Sequence, residues 1–337
     1  MAGAAIESHP RPGPHHDAGG RFRNPWPNAE ARGFRDVLKW SLERRANPRP
    51  AVVDPAPFRS AGPRFGAASA TGAVAVTWIG HSTVVLEVGG KTILTDPVWS
   101  DRVSPVRWAG PKRWVAPPVP LELLPPLDLV LLSHNHYDHC DRPTIEGLAR
   151  LHPGATWIAP LRLGALLARW GVRRIVELDW WTAVTLAGDV RVAATPAQHF
   201  SARGLNDRGA TLWCGYALEV SGRRVYFAGD TAYHPEFATI ASTFGPFDLS
   251  LIPIGAYDPR WFMKVVHLNP EEAVRAFQDL GASGVMVPIH WGTFKLTDEP
   301  MDEPPVRARA AWGAAGLVDR DLWVLAHGET RALSASR

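Results

Sequence analysis

Cysteine is scarce in this chain: Cys140 and Cys214 are the only two in 337 residues, and they do not form a C-x-x-C pair. That rules out a disulfide framework and a thiolate zinc site, and it suits a reducing cytosol, so a cytoplasmic location is expected. An excess of one charge is also missing. The 36 Lys and Arg residues against 33 Asp and Glu leave a net charge of +3, too weak to call for a nucleic-acid partner, whose phosphates need clustered cations. No apolar run reaches the roughly 18 residues that span a bilayer, and the N-terminus lacks a hydrophobic signal-peptide core. A soluble or membrane-peripheral globular chain remains, and 46% hydrophobic residues suffice for a sizeable core.

Residues 1–20 are rich in Gly, Pro, Ala and His without a hydrophobic period, so a disordered tail is expected. His9, His15 and His16 lie in it and receive no role. Residues 21–63 read as a helix from Phe34 to Arg45, with Phe34, Val37, Leu38 and Leu42 on one face, then a Pro-rich linker, both packed on the core. The main domain is expected over 64–337. Its strand-like runs are 73–79, 84–88, 92–94, 128–132, 156–159, 190–194, 216–220, 224–228, 249–253, 285–289 and 322–325, with Gly89-Gly90 joining the second and third as a hairpin. Helices are expected at 144–151, 161–170, 236–244 and 270–280, the last opened by Asn269 as N-cap, Pro270 at N1 and Glu271 and Glu272 in its first turn. Strands interspersed with helices predict an α/β fold of sheets covered by helices.

The densest chemistry follows the apolar run 127–132. His134, His136, Asp138 and His139 place four potential metal ligands within six residues, an imidazole and carboxylate set suited to zinc or a similar borderline cation. Three more candidates also follow strand-like runs: His199 after 190–194, Asp230 after 224–228 and His290 directly after 285–289. If the strands run parallel or nearly so, all seven emerge along one sheet edge, where α/β folds usually bind their ligands. Seven are too many for one tetrahedral ion and suit a binuclear centre with a carboxylate able to bridge. His81, His234 and His327 are left outside this set.

An H-x-H-x-D-H cluster followed by distant His, Asp and His resembles the metallo-β-lactamase superfamily. The likeness is closer to one branch, the N-acylphosphatidylethanolamine-hydrolysing phospholipases D. It is carried by Trp78-Ile-Gly-His81, Thr95-Asp-Pro97, Gly110-Pro-Lys-Arg113, Ser133-His-Asn-His-Tyr-Asp-His139, Glu177-Leu-Asp-Trp-Trp181, Phe227-Ala-Gly-Asp-Thr231, Ile252-Pro-Ile-Gly-Ala-Tyr257 and Ile289-His-Trp-Gly-Thr-Phe294, among others, across roughly 21–331. The resemblance implies a four-layer αββα sandwich and two Zn2+ ions. It assigns one metal to His134, His136 and His199, a second to Asp138, His139 and His290, and Asp230 as the bridge. It further implies that Asp96 orients a ligand histidine, that His267 lies near the substrate phosphate, and that the protein is a homodimer. Val266 departs from the pattern, which carries a polar glutamine beside that histidine.

Two divalent ions lower a bound water's pKa from near 16 to about 7, so the expected reaction is attack of a bridging hydroxide on phosphorus, with Asp230, His267 and Asp96 serving the step. The implied substrate is N-acylphosphatidylethanolamine or a related phospholipid, and the products an N-acylethanolamine and phosphatidic acid. A second reading keeps the fold and metals but takes a phosphorylated sugar lactone, another phosphodiester or an RNA end. A third is a silent metal module that binds lipid or a protein, against which stands a ligand set larger than a closed structural site uses. Residues 97–118 carry Trp99, Trp108 and Trp114 among Arg102, Arg107, Lys112 and Arg113. This loop either docks on a membrane surface or packs its tryptophans inward over the cleft.

Overall fold

The computed structural model describes residues 5–7, 13–46, 54, 56–59, 62–68, 72–187 and 189–334. Fourteen strands are described: β1 (Ala5–Glu7), β2 (Val74–Gly80), β3 (Thr83–Val88), β4 (Lys91–Thr95), β5 (Leu129–Leu131), β6 (Thr156–Pro160), β7 (Ile175–Leu178), β8 (Ala183–Leu186), β9 (Val190–Thr195), β10 (Gly215–Val220), β11 (Arg223–Phe227), β12 (Leu249–Pro253), β13 (Val285–Ile289) and β14 (Thr330–Leu333). Seven helices accompany them: α1 (Phe34–Ala46), α2 (Arg142–Leu151), α3 (Gly164–Arg169), α4 (Phe237–Phe244), α5 (Arg260–Met263), α6 (Pro270–Asp279) and α7 (Glu303–Ala314).

The strands form two seven-stranded sheets, ordered β14-β2-β3-β4-β5-β6-β7 and β1-β8-β9-β10-β11-β12-β13. Each is mixed. In the first, β2, β3 and β4 run antiparallel and β4 to β7 parallel; in the second, β8 to β11 are antiparallel and β11 to β13 parallel. The expected hairpin between β3 and β4 is present, with Gly89 and Gly90 at φ 57° and 74°, as a two-residue turn requires.

Side-chain alternation explains the layering. In the β5 region Leu129 and Leu131 face the large core between the sheets, whereas Val130 and Leu132 join a second cluster with Ile145 and Leu148 of α2 and Leu167 of α3. A strand buried on both faces reads as a continuous apolar run. The second sheet is covered by α6, whose Phe277 packs against Trp312 of α7 at 5.1 Å. Helices flank both sheets, which is the expected α/β sandwich of αββα type.

Several sequence expectations need correction. Residues 13–20 are not a disordered tail: His15 is buried, its ring stacks on Trp180 at 4.2 Å, and Asp179 binds both His15 and His16. Polar aromatic rings found specific partners that a hydrophobic period cannot report. Ala5–Glu7 pairs with β8, while His9 lies outside the described residues. Helix α1 forms as expected, but Val37, Leu38 and Leu42 are exposed. It is held instead by Trp40 against Phe262, Lys39 over Trp261, and Arg44 on Asp298. Most of the linker 47–63 lies outside the described residues. Residues 322–325 are not a strand; one bridge from Leu322 to Met286 is made before the chain turns away. The elements that went unread, β1, β7, β8, β14, α5 and α7, are short or lack a clean apolar stripe.

Candidate metal centre

Every candidate ligand lies at or just beyond the C-terminal end of a strand. His134 to His139 follow β5, His199 follows β9, Asp230 follows β11 and His290 follows β13. These strands belong to two facing sheets and not to one edge, so the expected single-edge arrangement is corrected: loops from both sheets meet. His81, Asp96 and His290, at the meeting point, have φ of 55°, 33° and 61°, in the left-handed region that His and Asp enter more readily than most side chains. Gly229 at φ 60° has no such option, because a Cβ there would stand 2.6 Å from that of Ser133. Glycine thus lets the Asp230 loop close on the His134 loop.

The ligand atoms converge in two groups around one carboxylate. His134 Nε2 lies 2.9 Å from His136 Nδ1, which lies 3.2 Å from His199 Nε2. On the other side, Asp138 Oδ2 is 3.4 Å from His139 Nε2 and 3.6 Å from His290 Nε2. Asp230 Oδ2 stands between, 3.1 Å from both His139 and His290, 3.7 Å from His199 and 3.9 Å from His134. All seven sequence-predicted ligands are therefore brought together. His139 Nε2, His290 Nε2 and Asp230 Oδ1 are buried and make no well-aligned hydrogen bond, which fits a pocket that holds a cation. The donor set, imidazoles and carboxylates, suits a transition ion.

Burial and mutual charge set the protonation of these groups. Burial and neighbouring histidines hold His134 well below the usual imidazole range and His136 at about 3, the neutral state a ligand requires. Burial would also neutralise His139, but the carboxylates of Asp230, Asp138 and Asp96 outweigh it and hold that ring well above its ordinary value. His290 is raised to about 9 against its own burial, chiefly by Asp230 and Asp138. Burial opposes ionisation of Asp138 and Asp230, yet the same histidines keep both carboxyls well below the usual range.

Supporting residues orient the ligands. Asp96 is fully buried, accepts from Ser133 N–H at 2.7 Å and Ser133 Oγ at 2.6 Å, and lies 2.6 Å from His139 Nδ1. Ser133 Oγ also lies 2.9 Å from His134 Nδ1, so one carboxylate steadies a ligand in each group. His199 Nδ1 is 2.9 Å from the carbonyl of Val266. That residue serves the site through its backbone, which any side chain supplies. His267, next to it, is mostly buried, with Nδ1 4.0 Å from Asp230 and no hydrogen-bond partner.

His81, expected from the sequence to be structural or to support the ligands without being one of them, stands directly behind two of them. Its Nε2 lies 3.0 Å from Asp138 Oδ2, and its carbonyl accepts the N–H of His290 at 2.9 Å, so it ties two ligands of one group. The signal was its place at the end of β2. His234 and His327 are elsewhere, the former stacked between Trp26 and Phe237, the latter against Trp78.

Beside the centre, reached at Tyr137, opens a cleft of about 1020 Å³ lined by Arg102, Arg107, Arg142, Arg169 and Arg203. Arg203 is committed: it lies over the Tyr137 ring at 3.9 Å and donates to the carbonyls of Asn135 and Cys140. The 97–118 loop forms one wall and divides its tryptophans. Trp99 donates to the Val119 carbonyl and Trp114 packs on Phe58, whereas Trp108 is 82% exposed. No described helix is long and apolar enough to cross a membrane.

Residues 91–291 match the family model described as "Beta-lactamase superfamily domain". An uncharacterised protein of Mycobacterium tuberculosis is 46% identical over 280 residues, covering 82% of this chain and 73% of that one. The N-acyl-phosphatidylethanolamine-hydrolyzing phospholipase D 1 of Caenorhabditis elegans is 42% identical over 238 residues, 68% of this chain and 67% of that protein. The mitochondrial enzyme of that name in Saccharomyces cerevisiae is 36% identical over 252 residues, 72% of this chain and 53% of its own length. Among solved structures, Igni18, a metallo hydrolase of Ignicoccus hospitalis, superposes with a TM-score of 0.59 at 26% identity, covering 78% of this chain and 99% of that one.

Proposed function

Since the chain belongs to the metallo-β-lactamase superfamily and is a metal-dependent hydrolase, we propose that it is a phosphodiesterase of the phospholipase D type. Its substrate in this reading is N-acylphosphatidylethanolamine or a related phospholipid, cleaved to an N-acylethanolamine and phosphatidic acid. The observation that carries the reading is Asp230 Oδ2, which faces ring nitrogens of His134, His139, His199 and His290 within 3.9 Å, the arrangement of a carboxylate shared between two cation sites. His134, His136 and His199 would hold one ion and Asp138, His139 and His290 the other, both Zn2+ by the nitrogen and oxygen donor set. Bound ions supply Lewis acidity and a water of lowered pKa.

The chain's own groups do the rest. His267 is held neutral by burial, which lowers its pKa well below the ordinary range, so its ring N–H donates to a non-bridging phosphoryl oxygen without carrying charge. Asp96 and His81 keep the ligand rings and Asp138 in place as charge builds on that oxygen. Exposed Trp108 beside Arg107 suits the interface of an anionic membrane, and the arginines of the adjoining cleft suit a phospholipid headgroup. The protein in this reading is cytoplasmic, peripheral on the membrane and a homodimer. Mass spectrometry of N-acylphosphatidylethanolamine vesicles incubated with the protein should reveal acylethanolamine and phosphatidic acid, both lost with Asp230→Asn. Intact substrate after incubation with fully metal-loaded wild type would end the proposal.

A further inference from the structure

Away from the candidate centre, the described residues contain one cluster that includes the N-terminal segment: His15, His16 and Asp179. His15 Nε2 lies 2.7 Å from Asp179 Oδ1 and His16 Nε2 lies 2.8 Å from Asp179 Oδ2, so two consecutive imidazoles aim the same ring nitrogen at one carboxylate. We propose that these three residues form a further metal site, taking a single divalent transition ion such as Zn2+ and clipping the N-terminal segment to the turn between β7 and β8.

Donor chemistry and preorganisation support it. Two imidazoles and a carboxylate are a ligand set that zinc and its neighbours take with a position left for water or another oxygen. The candidate centre supplies a scale within the same structure, since His134, His136 and His199 stand 2.9 and 3.2 Å apart there, close to the spacings in this cluster. The ligands are held before any ion arrives. His15 is buried and stacked on Trp180, and Asp179 Oδ1 accepts the Trp180 N–H at 2.8 Å, which fixes the carboxylate plane. His15 and Asp179 of the cluster edge a cavity of about 170 Å³ that Trp26 and Trp181 also line, leaving room for a water to complete the shell. Sequence spacing could not reveal this site, because the ligands are 163 residues apart and the histidines lie in a stretch without hydrophobic pattern.

The rival is a plain pair of imidazole-to-carboxylate hydrogen bonds, and zinc counting separates the two. Full-length protein stripped with chelator and titrated with Zn2+ alone should bind one equivalent more than its His16→Gln variant, by elemental analysis after gel filtration. The same difference should persist in an Asp230→Asn background, so failure of the phosphodiesterase reading does not decide this one. Zn2+ should also slow proteolysis near residue 16 at least tenfold in wild type and not in the variant. Equal zinc counts, or proteolysis indifferent to Zn2+, would overturn the site. Should His16→Gln fail to fold, anomalous scattering at the zinc edge from wild-type crystals replaces it: a peak among the three side chains supports the site, and none there refutes it.

Discussion

Asp96 holds His139: its Oδ2 lies 2.6 Å from the ring Nδ1, and both side chains are completely buried. With Nδ1 engaged by the carboxylate, Nε2 is left facing Asp230 in the tautomer a ligand needs. The same carboxylate takes two hydrogen bonds from Ser133, so its loss loosens the start of the ligand loop as well.

Asp96→Asn should therefore weaken metal retention by about 10–100-fold and lower turnover with it. Asn tolerates the φ of 33° at this position, so the fold should survive. Residual metal after dialysis against a graded chelator checks this, and wild-type retention would remove Asp96 from the machinery.

His81→Asn tests the link to Asp138. The backbone conformation at φ 55° suits Asn, but the shorter side chain does not reach the carboxylate 3.0 Å from the imidazole. We expect a loss of about 10-fold in affinity for one ion of the pair, the other remaining as tight as in wild type. Biphasic zinc titration resolves the two; uniform weakening would argue against the pairing.

His267→Ala should separate catalysis from metal binding. The ring stands 4.0 Å from Asp230 without a hydrogen bond, so both ions should stay while kcat falls about 10²–10³-fold, the loss seen when one donor to a developing oxyanion is removed. Metal lost in parallel with activity would make it a ligand instead.

The loop tryptophans should respond oppositely. Trp108→Ser should reduce binding to anionic liposomes about tenfold, the effect of withdrawing ~60 Å² of apolar surface at ~25 cal/mol per Å², with Tm unchanged. Trp114→Ala should lower Tm, because its ring packs on Phe58. Flotation and thermal melts distinguish them, and equal liposome binding by Trp108→Ser would remove the docking role.

Leu131→Ala addresses the scaffold. This side chain is wholly buried between the sheets, three positions before His134, and truncation should cost about 2–5 kcal/mol in denaturant unfolding. A cost below about 1 kcal/mol would mean that the core beneath the ligand loop is not close-packed there.

Local features of the site were legible from the chain because their partners are near in sequence. The hexamer from His134 to His139 is one loop, and α6 begins with the reciprocal Asn269 and Glu272 bonds that its first residues announce. Periodicity failed where polar contacts decide placement. His15 is buried by an aromatic ring and a carboxylate, α1 docks through Trp40, Lys39 and Arg44 and not through its apolar face, and Val266 contributes a carbonyl that its side chain does not encode.

By itself the order of residues determined which atoms are available to a cation, how many, and that each follows an apolar run able to form a strand. Only the tertiary structure decided that β5 joins one sheet and β9, β11 and β13 the other, so that the rings of His139 and His290 meet across the sandwich. The reason is physical. Strand direction and sheet membership come from burying two apolar faces against each other, a cooperative outcome of the whole core that no short stretch of sequence contains.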